Sequence, residues 1–547
     1  MGWPFNPRQS PWASIDKPKG GWRLFQWVSP AFLLGGFSLA LFAILYEIDF
    51  ILAGIGESKK RSAFEQYFDF DPSTITDALS SIGEAIAAVF GIVVTVVSII
   101  VQLAASRYPG IPRMFVRDRV NLSVMGFYLV CCICGVWMAF ALRSDFVPRF
   151  GIIAMLALTT LGFLLMPPYF GYVFWFLEPE NIIDRIRMRA IEISSTGLRL
   201  KQMDDEFDRL QSETLATIEE LTDITTNSIV GKDKIIASMA VDAIRDFCLD
   251  YLKRKQEVPG DSVWFRIGQS LRSNPDFVAM DPESLQKLEE RKHWVEWKAM
   301  RQYLAIYNES LVGMRDINYL IAIDTRYIGD AAIQYNDDEL IRLVFRFMNS
   351  YLRAALNARD VRTAYNVLNQ YRIFLESLLR SGRDGLVLEG VRYMVYYGHL
   401  SYDIKIGFVT ETVAYDIGML CQYAHEIASN AEAGILQALL DLDRPLRSMQ
   451  QEAALLGIRK AQVKLGAYYL FKQEQAMALT IAQDVAQEAE HRLAQVRAAL
   501  EETTSKDFWE IIDRGRNFDY MPSEHRSMLK AFLKVVYELK NKNSKNN

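Results

Sequence analysis

The uncharged stretch Glu84-AIAAVFGIVVTVVSIIVQLAAS-Arg107 decides the fold of this chain. The 22 residues between its two charges would span roughly 33 Å as a helix, close to the ~30 Å hydrocarbon core of a bilayer. An uncharged run of this length is typical of a membrane-spanning helix. The stretch therefore predicts an integral membrane protein.

One face of this helix is small and polar. Successive members of this face are three or four residues apart, and that spacing places them on a single side of a helix. The face, which we call the polar stripe, consists of Glu84, Ala88, Gly91, Thr95, Ser98, Gln102 and Ser106. Polar groups at membrane depth border water or other polar groups, so the stripe is a candidate lining for a path. Helix packing explains the same pattern, and the stripe alone favours packing.

Charges lie at both ends of the polar stripe. Glu84 would make a cation-attracting outer mouth, and Arg107, Arg113 and Arg117 would make an anion-attracting inner vestibule. Basic residues beside a membrane more often set its orientation and contact headgroups, so this alternative stays open. One helix cannot enclose a path, and the hypothesis therefore requires a homo-oligomer.

A break in the helical pattern follows the stripe. Pro109, Gly110 and Pro112 end the helix, because proline removes a backbone donor and restricts the residue before it. These three residues are a candidate hinge at the inner end of the helix. A loop that only terminates the helix is the simpler interpretation.

Four intervals without Asp, Glu, Lys or Arg are long enough to cross a membrane. They are 24–46, 85–106, 120–142 and 150–177, and the last contains Pro167-Pro168, which should kink the helix or end it early. Thirteen Lys and Arg residues flank one side of these spans and five the other. Because positive residues stay in the cytoplasm, both termini are expected there, with 1–23 cytoplasmic and a loop at 50–83 outside.

The chain after the last span reads as one large helical region, 178–540, with a polar tail at 541–547 that we expect to be disordered. The fold class is therefore all-α: four transmembrane helices followed by a helical cytoplasmic domain. The expected cytoplasmic helices are 185–226, 234–255, 281–314, 338–356, 363–379, 410–428, 434–456 and 460–500.

Composition excludes several functions. A formal net charge of −5 gives no basic field for nucleic acid. Three of the five cysteines, Cys131, Cys132 and Cys134, share an apolar run, where small-residue packing explains them better than metal binding does. The histidines at 293, 399, 425, 491 and 525 show no paired spacing. We therefore predict no catalytic residue, cofactor or metal, and no enzyme.

One cytoplasmic segment resembles half of a tetratricopeptide repeat. It runs from Leu465-Gly466-Ala467-Tyr468-Tyr469 to Ala478 and Ala482. No second copy stands about 34 residues away, so an ordinary helical hairpin is the favoured interpretation.

A family resemblance rests on three segments around the second span. They are Ala78-Leu79-Ser80-Ser81-Ile82, the run from Val97 to Tyr108 that contains Gln102-Leu103-Ala104-Ala105-Ser106, and Pro112-Arg113 with Arg117-Asp118-Arg119. Over about residues 75–145 the chain resembles a diverged member of the bacterial predicted membrane proteins catalogued as domain of unknown function 2254. The resemblance implies a membrane location and transfers no functional residue.

Two functions fit these observations. The first is a homo-oligomeric ion channel or transporter in a bacterial inner (plasma) membrane, with the second span lining the path and the cytoplasmic helices regulating it. The second is a membrane-anchored scaffold or sensor whose cytoplasmic domain binds a protein partner, since about 370 of the 547 residues lie there.

Overall fold

The structure is a computed structural model that describes residues 72–105, 110–141, 149–203, 205–258, 260, 262–443, 452–507 and 517–546, with single positions between 33 and 51. Every regular element in these ranges is a helix, as the all-α prediction requires. The chain divides into two compact units, Met1–Ile182 and Ile183–Asn547.

The first unit contains three helices that could cross a membrane. The elements are α1 (Pro72–Ala105), α2 (Ile111–Val116), α3 (Arg119–Ala141) and α4 (Arg149–Leu177). Within them, Ser80–Ala105, Arg119–Phe140 and Phe150–Leu177 are long and apolar enough to span. The structure thus has three of the four predicted spans, the second to the fourth. Most of the first, 24–46, lies outside the described residues.

Two local expectations for this unit differ from the structure. The predicted outer loop 50–83 is helical from Pro72 onward, because proline is well suited to the first turn of a helix. Of the two outcomes expected at Pro167-Pro168, a kink or an early end, the structure excludes the early end, since α4 continues through both prolines to Leu177. Ending a helix in hydrocarbon would leave several more backbone groups unpaired, which costs more than the bonds that the prolines remove.

The core of this unit lies between one face of α1 and the other helices. Ile86, Val89, Val93 and Val97 of α1 are buried against Phe115 of α2 and against residues of α3 and α4. The α3 and α4 members of this cluster are Tyr128, Cys131, Tyr169, Tyr172, Val173 and Phe176. α1 and α3 approach closely at a glycine pair, where a Cβ on Gly135 would lie 3.6 Å from Cα of Gly83.

The second unit is an array of helices. In chain order they are α5 (Pro179–Leu198), α6 (Asp205–Val230), α7 (Lys234–Lys255), α8 (Gln269–Ser273), α9 (Pro275–Val278), α10 (Pro282–Arg291), α11 (Trp294–Gly313), α12 (Arg315–Gln334), α13 (Asp338–Asn357), α14 (Val361–Arg380), α15 (Asp384–Asp403), α16 (Gly407–Glu426), α17 (Glu432–Asp441), α18 (Glu452–Phe471), α19 (Gln475–Val485), α20 (Glu490–Glu502) and α21 (Ser523–Asn546). A short 3₁₀ helix at Val263–Phe265 lies between α7 and α8.

Several of these helices are shorter than the sequence pattern predicts. The expected helix 185–226 is two helices, α5 and α6, and 281–314 is also two, because Lys292 adopts a left-handed conformation with φ 62°. The expected helix 460–500 is divided among α18, α19 and α20. α21 continues to Asn546, where the sequence predicts a disordered tail.

A repeat of 23 residues governs the middle of this unit. The helices α13, α14, α15 and α16 are each 20 residues long. A left-handed residue follows each of α12 to α16, at positions 336, 359, 382, 405 and 428. The next backbone N–H then donates to the carbonyl five residues earlier, as from Asp337 to Ala332 and from Asp360 to Ala355, both at 2.9 Å. This pattern is the Schellman motif, which ends each helix in the same geometry.

The repeated turns arrange the helices in two rows. α7, α12, α14, α16 and α18 contact one another in that order, and α6, α11, α13, α15 and α17 form the second row. From α11 to α17 each helix also contacts its neighbour in the chain, so a pair of helices repeats every 46 residues. Such stacking is the architecture of an α-solenoid. The segment that resembles half a tetratricopeptide repeat, in α18 and α19, therefore continues a stack of helices rather than forming a lone hairpin.

Close contact within the first row depends on Gly329. A Cβ at this position would lie 2.5 Å from Cε2 of Phe374, which brings α12 against α14. We predict that Gly329→Ala lowers the free energy of unfolding by about 1–3 kcal/mol, the usual cost of overpacking. Thermal unfolding of the purified full-length protein in detergent would measure it.

A matched control is available in the same row. Gly418 of α16 is buried, yet a Cβ there would have nothing within 4 Å. Gly418→Ala should therefore be neutral, or stabilising by up to about 1 kcal/mol through helix propensity. Equal unfolding temperatures for the two variants would contradict the close contact at Gly329.

Candidate functional site

The polar stripe of α1 faces away from the core of its own unit. Glu84, Ala88, Gly91, Thr95, Ser98 and Gln102 are all exposed. At 100° per residue they fall within about 40° of one direction on the helix. The buried residues Ile86, Val89, Val93 and Val97 centre on the opposite direction. The described helices therefore bury the apolar face of α1 and leave its polar face uncovered.

Glycine contributes open space to this surface. A Cβ built on Gly91 would meet no atom within 4 Å. Another helix could therefore approach the backbone of α1 closely along this side. Ser106, the last residue of the predicted stripe, lies outside the described residues.

The charged residues proposed for the two ends of the stripe are placed in part. Glu84 is exposed near the start of the span, and Arg113 and Arg117 are exposed on and just after α2. Within the described residues no carboxylate pairs with either arginine. Arg107 lies outside those residues, so its contribution to a vestibule stays a prediction.

The candidate hinge is only partly described, because Pro109 lies outside the described residues. Gly110 has φ −72° and ψ −19°, an ordinary right-handed conformation that any residue adopts, and Pro112 lies in the first turn of α2. α2 itself is anchored by two buried side chains, Ile111 and Phe115. The ring of Phe115 meets that of Phe176 edge-on, with centroids 5.2 Å apart. α2 is therefore held against α4 at its buried face.

A buried polar network fixes α2 to α3 and α4. Nδ2 of Asn121 donates to the carbonyl of Phe115 at 3.1 Å, and the hydroxyl of Tyr169 donates to Oδ1 of Asn121 at 2.7 Å. Asp118 caps α3 by accepting from the backbone N–H groups of Val120 and Asn121. One amide side chain thus joins three helices.

Sequence reasoning missed this network. Asn121 is the single amide side chain in the span 120–142, and a buried amide in a membrane helix needs polar partners. The sequence therefore indicates that Asn121 has polar partners, but it does not identify them. A second buried hydroxyl also joins α3 to α4, because Tyr128 donates to the carbonyl of Gly162 at 2.7 Å.

The three cysteines of α3 point in different directions. Cys131 is buried, Cys132 is half-buried and Cys134 is exposed. Within the described residues no group of histidine, cysteine, aspartate and glutamate side chains could hold a metal ion.

Buried charges in the solenoid form a network around Arg245 of α7. The guanidinium contacts Oδ1 of Asp242 at 2.6 Å, of Asp246 at 2.9 Å and of Asp324 at 2.9 Å. The hydroxyl of Tyr303 also reaches Oδ2 of Asp324, at 3.3 Å. Burial raises the pKa of Asp324 to about 8, and the nearby Asp242 adds to this effect while Arg245 opposes it. The network joins α7 to α12 and therefore has a packing role.

Residues 26–230 match the family described as "Predicted membrane protein (DUF2254)". This confirms the resemblance found around the second span and extends it from the start of the first predicted span to the end of α6. No curated protein matches the chain. The family match and the three apolar helices together identify a membrane protein.

The raised pKa of Asp324 predicts how stability depends on pH. Between about pH 4 and pH 8 the folded protein keeps a proton on this carboxyl that the unfolded chain releases. Stability should therefore fall as the pH rises through this window, by up to about 1.4 kcal/mol per pH unit. Asp324→Asn should flatten that slope in thermal unfolding curves recorded at pH 5, 6, 7 and 8.

Asp316→Asn is the control for this experiment. Asp316 also lies on α12, but it is exposed and pairs with Lys234 at the surface. Its replacement should leave the pH slope unchanged. If Asp324→Asn also leaves the slope unchanged, the carboxyl is ionised throughout the range and the interpretation is wrong.

Proposed function

We propose that this protein forms a homo-oligomer in a bacterial inner membrane, in which the polar stripe of α1 lines a path for ions or small polar solutes. The observation that carries the proposal is the exposure of Gln102 on a helix that can span a membrane. Serine and threonine can satisfy their hydroxyls on the preceding turn of their own helix. The amide of Gln102 needs water or a second polar partner instead.

The distribution of side chains on α1 supports an assembly over a single copy in lipid. Val93 and Val97 are already buried in the core of the unit, so the face left over is the one least suited to lipid. Copies arranged around an axis would turn Thr95, Ser98 and Gln102 toward that axis. Lipid would then contact the flanks of α1, where Ile92 and Leu103 are exposed.

Charge and topology are also part of this proposal. With both termini cytoplasmic, Glu84 would stand at the outer mouth and Arg113 and Arg117 at the inner end. The inner arginines would concentrate anions, and the outer carboxylate would concentrate cations. Only Glu178 separates α4 from α5, so the helical domain is connected closely enough to regulate the membrane helices.

Thiol accessibility separates a water-filled path from lipid or dry helix packing. In a background without the five native cysteines, we expect Ser98→Cys to react with a charged methanethiosulfonate reagent at least about tenfold faster than Ile92→Cys, because a thiol ionises readily only where water reaches it. Ile92 is a fair control, since it is 51% exposed on the flank of the same helix. Equal, slow reaction at both positions would contradict a path.

Flux through proteoliposomes tests conduction itself. Gln102→Leu should lower the flux of K⁺, Na⁺ or Cl⁻, and Glu84→Gln should lower cation flux most, because a charge at the mouth is lost. Ile92→Leu should change neither. Protein that is oligomeric by light scattering yet passes none of these ions would leave helix packing as the role of the stripe.

The solenoid supports a second candidate function, a scaffold that binds peptide segments. The segment Asn517–Met521 of this chain already lies against α16 and α18. The ring of Phe518 stacks on that of Tyr415 with centroids 4.6 Å apart, and Nζ of Lys460 contacts Asp519 at 2.7 Å. Lys464 donates to the backbone carbonyl of Tyr520 at 2.8 Å. An aromatic residue followed by an acidic one is thus a chemistry that this surface can hold.

A peptide with the sequence Asn-Phe-Asp-Tyr-Met tests the scaffold function. The double variant Phe518→Ala, Asp519→Ala should empty the surface, so the labelled peptide should bind it at least about tenfold more tightly than it binds the unchanged protein. A peptide with lysine in place of aspartate is the control and should not bind. If the peptide binds neither protein, the surface is only an internal contact of the fold.

A further inference from the structure

A cavity of about 830 Å³ lies beside the C-terminal ends of α5 and α7. Four basic side chains line it: Arg199 and Lys201 after α5, and Lys253 and Arg254 at the end of α7. Leu198, Val258 and Val263 supply apolar walls. A volume in this range is sufficient for a small-molecule ligand.

Ordinary structural roles account for only part of this charge. Basic residues near the last turn of a helix complement its dipole, which explains some of the cations at these two ends. Arg254 donates to Oγ of Ser195 at 2.7 Å. Within the described residues, however, Arg199, Lys201 and Lys253 have no carboxylate partner. These three cations of the cavity wall are therefore not held in ion pairs within the described part of the chain.

The acidic residues of the cavity reduce this excess only partly. Asp250 and Glu257 also line it, but Nη1 of Arg187 already contacts Asp250 at 2.9 Å. A second cavity of about 540 Å³ shares Ser195, Arg199 and Arg254 with the first, and it extends along α5 to Arg185 and Arg189. Across both cavities the basic residues outnumber the acidic ones.

We propose that this cavity binds a small ligand that carries two or more phosphate groups. Arginine fits phosphate through its planar pair of donors, and lysine adds a point charge that can approach from several directions. Arg199 and Arg254 would each bind phosphate oxygens, with Lys201 and Lys253 neutralising the remaining charge. The apolar walls would contact the non-phosphorylated part of the ligand. The same chemistry suits a soluble phosphorylated metabolite and the headgroup of an anionic phospholipid.

Inorganic pyrophosphate is the probe for the soluble source. Titrated into the full-length protein in detergent and followed by calorimetry, it should bind, and the double variant Arg199→Gln, Lys201→Gln should weaken binding by about tenfold or more. The affinity should also fall as salt rises from 50 to 300 mM, because the contacts are ionic.

The control removes the same number of charges elsewhere in the same unit. Arg209 and Lys287 are exposed and lie on other helices, so Arg209→Gln with Lys287→Gln should leave pyrophosphate binding unchanged. If the two double variants weaken pyrophosphate binding equally, the binding depends only on the overall charge of the protein. The proposed site would then be refuted. Matching thermal unfolding of both variants shows that the fold is intact.

Native mass spectrometry distinguishes the lipid source. The protein is incubated with cardiolipin, an anionic phospholipid whose headgroup carries two phosphates, and then with pyrophosphate. Bound lipid that is lost on adding pyrophosphate, and is absent in Arg199→Gln, Lys201→Gln, would assign the cavity to a headgroup. Pyrophosphate binding without such lipid would assign it to a soluble ligand. If neither the binding of pyrophosphate nor the binding of lipid depends on Arg199 and Lys201, the proposal fails. This result is independent of the thiol and flux experiments.

Discussion

The membrane part of this protein depends on one constraint: α1 can bury only one of its two faces against α3 and α4. A helix in hydrocarbon satisfies its backbone internally, so its side chains alone decide which face is buried. In α1 the β-branched face, with Val93 and Val97 at its centre, fills the core. The face with Thr95, Ser98 and Gln102 is left outside. The arrangement that fills the core of this unit therefore leaves the polar stripe exposed among the described helices.

A different constraint orders the second unit, Ile183–Asn547. The helices from α12 to α16 end in the same left-handed turn, so each helix returns along the stack at a constant interval of 23 residues. Constant length then brings equivalent faces together along each row. The guanidinium of Arg245 can be buried in this architecture because α7 itself and the neighbouring α12 place the carboxyl groups of Asp242, Asp246 and Asp324 around it. The result is a regular stack that depends on repeated geometry as much as on apolar area.

The two units differ in how far the sequence predicts them. Uncharged runs gave the second, third and fourth spans, because a missing charge over 20 residues has few explanations other than lipid. The stripe was also found, since its spacing is a property of α1 alone. Its exposure could not be predicted, because that depends on which face α3 and α4 cover. The network of Asn121, Tyr169 and the Phe115 carbonyl could not be predicted either, because its members are distant from one another in the chain.

The solenoid repeat was missed because its residues do not repeat. The left-handed position is occupied in turn by Asn336, Arg359, Gly382, Lys405 and Ala428, and only one of these is the glycine that usually marks such a turn. The residue after it changes from aspartate in the first two turns to arginine, isoleucine and serine in the next three. Only the spacing of 23 is constant, and a search at 34 residues cannot find it. Continuous helical periodicity across these turns explains why the expected helices were too long.

The contacts around α1 also indicate which helix is free to shift. α2, α3 and α4 are joined by side-chain hydrogen bonds through Asn121 and Tyr128, and separating them would leave buried polar groups unpaired. α1 contributes only apolar side chains to the cluster that it shares with these helices. Apolar surfaces can slide or tilt by small amounts without losing directional bonds. A small displacement of α1 against α2, α3 and α4 therefore costs less than separating those three helices from one another.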